Sequence, residues 1–193
     1  MKNQNFKIAK KVSGTIVALT VLLTAFSCSK KDIDKFTTIG FDYSFEVNVP
    51  DTVIKSSSQN QAEFLSPPID SKSVEKIKDA KTTTDLVSEI KMTKLTVTCI
   101  GGTSNLDYVN SIKIYIKSAK NPEVLLMEKA SIPAGAKSVD MDLKDVDVKK
   151  YIFEDQIQFR TVLTFKSNST TTQIDSQKLR CDASLLGKAK LPG

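Results

Sequence analysis

Apolar residues at every second position constrain this chain more than any other feature. Phe41, Tyr43, Phe45, Val47 and Val49 alternate with Asp42, Ser44, Glu46 and Asn48. A period of two fits a β-strand with one face in a core and the other in water. The pattern then returns along the chain. Residues 92–100 carry Leu95, Val97 and Cys99 on one face and end at Gly101-Gly102, and residues 111–117 turn Ile112, Ile114 and Ile116 inward. A strand at 123–129 follows Asn121-Pro122. Residues 138–143 carry Val139, Met141 and Leu143 after a turn at Pro133-Ala134-Gly135. Residues 156–166 carry Ile157, Phe159, Thr161, Leu163 and Phe165. After a hairpin tip at Ser167-Asn168-Ser169-Thr170, residues 172–184 return with Leu179, Cys181 and Ala183 inward.

Three stretches lack this alternation. Residues 29–38 are polar and charged and read as a tether. Residues 55–72, KSSSQNQAEFLSPPIDSK, are rich in Ser, Gln and Pro and read as a long exposed loop. Between 73 and 91, Val74, Ile77, Leu86, Val87 and Ile90 are spaced for one or two short helical turns, with Ser73 and Thr84 as caps.

Strands with one wet face belong to antiparallel sheets, and two such sheets packed together make a sandwich. The expected fold is therefore mainly β: an antiparallel, immunoglobulin-like β-sandwich of about seven strands, with one or two short helical turns. Strands do not alternate with full helices, which argues against a parallel α/β sheet. The chain has no Trp, so the buried Trp of antibody domains is absent.

The first 27 residues belong to a different physical class. MKNQNFKIAKK is cationic, and the next 16 residues, VSGTIVALTVLLTAFS, are uncharged and mostly apolar. That run is shorter than the roughly 20 residues a spanning helix needs. A basic front, a short apolar core and small residues before a cysteine read as a secretion signal. Removing its four lysines from the 28 basic residues leaves 24 against 22 acids, so the net charge of +6 falls to +2 in the mature chain. The basic excess belongs to export, and nucleic acid is not an expected partner.

Leu23-Thr24-Ala25-Phe26-Ser27-Cys28 resembles a lipobox, the site cut before the lipidated cysteine of bacterial lipoproteins, in the looser form of Bacteroidota. Phe26 departs from the preferred small or aliphatic residue. The resemblance implies that Cys28 is acylated and holds the mature chain on a membrane without a spanning helix. Attachment needs more than one acyl chain, because each buried methylene contributes only about 0.8 kcal/mol. Ser29-Lys30-Lys31-Asp32-Ile33-Asp34 partly resembles the charged tether that routes such lipoproteins outward, implying an outer-membrane location and exposure at the cell surface. Residues 28–38 are then the lipidated N-terminus and tether, and 39–193 one domain. The 166 residues left after the signal suit a single core.

The remaining chemistry is sparse. Cys99 and Cys181 lie on inward strand faces. An exported domain permits a disulfide between them, or leaves them as two small buried thiols. The absence of His removes Ser-His-Asp and Cys-His catalysis and His-ligated zinc. No phosphate-binding or nucleophile-elbow motif is present, so neither an enzyme nor a cofactor is expected.

The weak metal candidate is Asp140, Asp142, Asp145 and Asp147, whose carboxylates are closely spaced as calcium ligands often are but lack an EF-hand order and better suit a solvated strand face. Phe64, Tyr108, Tyr151 and Phe153 lie outside the clear strands and are candidates for stacking on a glycan or for covering the ends of the core. Asp51-Thr52-Val53 resembles the O-glycosylation acceptor of Bacteroidota exported proteins, with Thr52 as the acceptor. The expected function is a non-enzymatic binding or interaction module at the envelope, meeting a protein or glycan. The alternatives are a structural accessory subunit of an outer-membrane assembly and a glycan-binding surface lipoprotein.

Overall fold

The computed structural model describes residues 36–51, 60–102, 105–166 and 176–191. They all lie within one compact unit, Lys35–Gly193. Ten strands are present among them. In chain order they are β1 (Phe36–Val49), β2 (Gln61–Leu65), β3 (Ile69–Asp70), β4 (Val87–Gly101), β5 (Val109–Ser118), β6 (Val124–Lys129), β7 (Ser138–Asp140), β8 (Asp142–Leu143), β9 (Gln156–Phe165) and β10 (Gln177–Lys190). Helix α1 (Ser73–Asp79) and a 3-10 turn (Thr84–Leu86) precede β4, and helix α2 (Lys149–Ile152) precedes β9.

The strands form two antiparallel sheets. The first has the order β1-β10-β4-β7; the second has the order β2-β9-β5-β6-β8, with β3 also paired to β9. Their inner faces meet in one core of buried residues, among them Phe41, Leu95, Ile114, Phe159 and Leu179. Phe45 of the first sheet stacks on Phe159 of the second, with centroids 4.7 Å apart and planes 5° from parallel. An aromatic pair of this kind contributes about 0.5–1.5 kcal/mol beyond its area burial. The fold is thus the expected mainly-β sandwich.

Ten strands stand where about seven are expected, and several pieces of the expected layout differ. The stretch read as a loop over 55–72 contains β2 and β3, because Ala62, Phe64 and Ile69 pack against the core while Ser66 ties the segment to β9. The Ser66 amide donates to the Phe159 carbonyl (2.8 Å), and the Phe159 amide donates to Ser66 Oγ (3.0 Å). The strand pairing also begins before residue 39, since β1 starts at Phe36, opposite Lys190 of β10.

The helical spacing expected up to residue 91 is a strand in the structure, and its cause is β-bulging. Lys94 pairs with Ser184 but Met92 with Leu185, which leaves Thr93 extra; Glu89 pairs with Lys188 but Val87 with Ala189, which leaves Ser88 extra. Each extra residue shifts the alternation by one. Inward residues of β4 therefore fall at Val87, Ile90, Met92 and Leu95, with two intervals of three that imitate a helix. Both extra residues donate a hydroxyl to a β10 carbonyl at 3.0 Å, Thr93 to Ser184 and Ser88 to Lys188.

Ser73 is the first residue of α1 rather than its cap. Lys72 occupies the cap position with φ 50°, and no side chain caps the helix. Thr84 likewise opens the 3-10 turn, whose cap position is Thr83. Leu143 is exposed, because the chain changes sheets between Asp140 on β7 and Asp142 on β8 and restarts the alternation.

Candidate functional site

Each sheet has two edges, built from five strands, because β2 and β3 share one of them beside β9, and these strands are treated differently. β7 and β8 are three and two residues long. β3 is also two residues and follows Pro67-Pro68, whose ring nitrogens carry no amide proton to offer another strand. β1 is 14 residues long, and its register with β10 runs without a shift from Phe36 opposite Lys190 to Val49 opposite Gln177. Helix α1 and the segment leading into it pack against β1. The Tyr43 hydroxyl donates to the Ser71 carbonyl at 2.7 Å, and burial, helped by the charge of Asp70, raises its pKa well above the ordinary value.

Beyond Ser44 a groove opens between the edges of β1 and β2, with a volume of about 890 Å³. Phe45, Val47, Phe64 and Ile69 give it an apolar lining; Glu46 on β1 and Glu63 on β2 are its charged residues. Each carboxylate shares an oxygen with a cation outside the lining. Glu46 pairs with Lys178 at 2.6 Å and Glu63 with Arg160 at 2.9 Å. Arg160 is itself fixed on the outer face of the second sheet. Its Nε and Nη2 donate to both oxygens of Glu123 (2.8 and 2.7 Å), and its guanidinium lies 4.2 Å from the Tyr115 ring centroid. One rim of the groove is thereby held by a rigid fork of the kind only Arg provides.

The residues singled out from sequence meet different fates. Cys28 and Thr52 lie outside the described residues. Cys99 and Cys181 are free and buried, and no disulfide joins them. They occupy adjacent strands on one face, but Cys99 pairs with Leu179 and Cys181 with Val97, a diagonal offset of two residues. Diagonal neighbours lie about 7–8 Å apart, beyond disulfide reach without backbone movement. Cys99 Sγ contacts the Gly101 carbonyl (3.3 Å) and Gln177 Oε1 (3.5 Å). Burial, with a smaller contribution from Asp182, pushes the Cys181 thiol up to about 12.

The four aspartates are dispersed rather than gathered around an ion. Asp140 accepts from Thr96 Oγ1 at 2.5 Å on the outer face of the first sheet, and Asp142 pairs with Lys129 at 3.0 Å on the second. Asp145 pairs with Lys91 at 2.8 Å, and Asp147 accepts from the amides of Ile90 (3.0 Å) and Lys149 (2.9 Å). Asp147 thus joins the entry of α2 to β4. Among the described residues no group of three or more Cys, Asp or Glu is placed to hold a metal ion.

The aromatic platform is not formed either. Tyr108 and Tyr151 are buried and Phe153 packs partly against the core; only Phe64 lines the groove. Tyr151 donates to the Pro122 carbonyl at 2.6 Å, whereas the Tyr108 hydroxyl is buried with no partner among the described residues. The groove itself escaped sequence reasoning, because its two walls come from edges that only the tertiary pairing brings together.

No family model matches the chain, and no curated protein is similar to it. Among solved structures it is similar to FLHE at 10% identity, covering 80% of this chain and 97% of that one with a TM-score of 0.31. It is also similar to the BFDV capsid protein of a 60-mer at 8% identity, covering 83% and 97% with a TM-score of 0.37. Turnip Yellow Mosaic Virus gives 12% identity, 82% and 97% coverage and a TM-score of 0.29. Scores this low carry no argument about function.

Proposed function

We propose that this chain is an envelope lipoprotein: a non-enzymatic binding module, anchored in the outer membrane through acylated Cys28, that presents the groove between β1 and β2 to another component of the envelope. The observation that carries the anchoring is the apolar 16-residue run behind a cationic front, ending at Cys28, only eight positions before β1 begins. The binding role is supported by the groove, whose lining is apolar with two acidic residues. The carboxylates singled out for chemistry are each engaged by Lys, Thr or backbone amides, an arrangement suited to holding structure.

Fractionation of cells expressing the wild type or Cys28→Ala tests the anchoring. The wild type is expected in the membrane pellet after a carbonate wash, and the variant in the soluble fraction or as unprocessed precursor. A variant that still fractionates as a processed membrane protein overturns the reading.

A further inference from the structure

We propose that the groove takes an extended segment of a partner protein as an added strand, with apolar side chains against its lining and a Lys or Arg at its rim. This rests on the binding role proposed above and specifies the ligand of that same site.

The first argument is the state of the edge. Natural sheets blunt long edges with prolines, bulges, inward charges or a covering helix, because an open edge recruits another strand. Here β3, β7 and β8 are two or three residues long, and among the described residues the segment 69–76 flanks β1 along 41–44. From Phe45 to Val49 the edge has no bulge, no proline interrupts it before Pro50 ends it, and its outward side chains are Glu46 and Asn48. Among the described residues, the edge is left uncovered over about five residues, roughly 17 Å of strand.

The second argument is shape. A strand added to an edge gains main-chain hydrogen bonds that tolerate many sequences, and selectivity comes from pockets for alternate side chains. Phe45 and Val47 of β1, with Phe64 of β2 and Ile69 of β3, supply an apolar surface of that kind beside the edge, bounded by half-exposed Leu65.

The third argument is charge. Among the described residues, the charged ones lining the groove are Glu46 and Glu63, one on each wall, and no Lys or Arg lines it. The side chains of both are about half exposed and reachable from the groove. Complementary rim charges set partner choice and approach rate more than raw affinity. One oxygen of each carboxylate is held by Lys178 or Arg160, so a cation beside the segment's apolar residues meets the other oxygen, and an acidic segment finds no partner on either wall.

The test uses the full-length lipoprotein in detergent micelles and three labelled peptides, followed by fluorescence anisotropy. One alternates Val and Thr between terminal lysines; the second replaces the lysines with Glu; the third is the lysine peptide with alternate amides N-methylated. The lysine peptide is expected to bind about tenfold more tightly than the Glu peptide, and N-methylation to abolish binding. Glu46→Lys should reverse the preference and Glu46→Gln should weaken it about threefold; both change an exposed side chain and leave the core intact.

Cross-links from a photoreactive lysine peptide should map to 44–48 and 61–65. Failure of the lysine peptide to bind, equal binding of the Glu peptide, indifference to N-methylation, or cross-links elsewhere would each overturn the proposal. Because peptide binding is read in micelles, it fails or succeeds separately from the membrane fractionation that tests the anchor.

Discussion

Cys99 and Cys181 sit on neighbouring strands, on the same buried face, two residues out of step: Leu179, not Cys181, lies opposite Cys99. A pair that sequence allows to bond is kept apart by register alone. The unfolded, unreduced protein should therefore titrate two thiols besides Cys28. Before unfolding, neither should react quickly with an alkylating reagent, because both are buried and desolvation holds the Cys181 thiol protonated. A titre of zero after unfolding would mean that the strands pair in another register.

Thr161 places its hydroxyl in the core with no partner among the described residues, opposite Phe64 and Ile114 in the ladders of β9. A buried polar group without a hydrogen bond costs about 1–3 kcal/mol. Thr161→Val keeps the shape and removes that group, so thermal or urea unfolding should show a gain of about 1 kcal/mol. A loss of that size would show that the hydroxyl is satisfied by a buried water.

Gly102 has φ 79°, and a Cβ there would overlap Nε2 of Gln177, which is buried and has little room to retreat. Gly102→Ala should lower stability by about 2 kcal/mol, from backbone strain together with displacement of that amide. Gly135→Ala, where φ is also positive but the space beside it is open, should cost less. Urea unfolding of the two variants ranks them, and an equal loss would remove the role assigned to Gln177.

Acid should weaken the outer surfaces before the core. Hydrogen bonds from Arg160 hold Glu123 below its ordinary value of 4.5, those from Lys188 and then Lys91 do the same for Glu89, and Lys144 does so for Glu128. A folded-state pKa below the unfolded one means stability that is present above about 4.5 and lost as the pH falls through the lowered folded values. The unfolding midpoint in urea should therefore drop below pH 4.5. Glu123→Gln should flatten that limb, and Arg160→Ala should cost about 1 kcal/mol at neutral pH. An unchanged acid limb in Glu123→Gln would contradict the assignment.

Sequence made the sandwich legible wherever alternation is strict. Phe41 to Val49, Ile157 to Phe165 and Leu179 to Ala183 are inward in the structure as their period of two demands. It failed where bulges break the period, as at Ser88 and Thr93, and where β2 supplies only Ala62 and Phe64 to the core from within a polar, proline-rich stretch. The candidate site was legible only in fragments. Phe64 was noticed, but the groove depends on β1 and β2 being edges of different sheets, and edge status is decided by pairings such as Phe45 with Cys181, far apart in sequence. The aspartates looked like a cluster because they are close in sequence; the switch from β7 to β8 separates the first two.

The mass of the intact protein extracted from membranes tests the central claim most directly. An envelope lipoprotein should have lost residues 1–27 and should carry acyl groups on an N-terminal Cys28. A chain retaining residues 1–27, or processed without added lipid, would contradict the account.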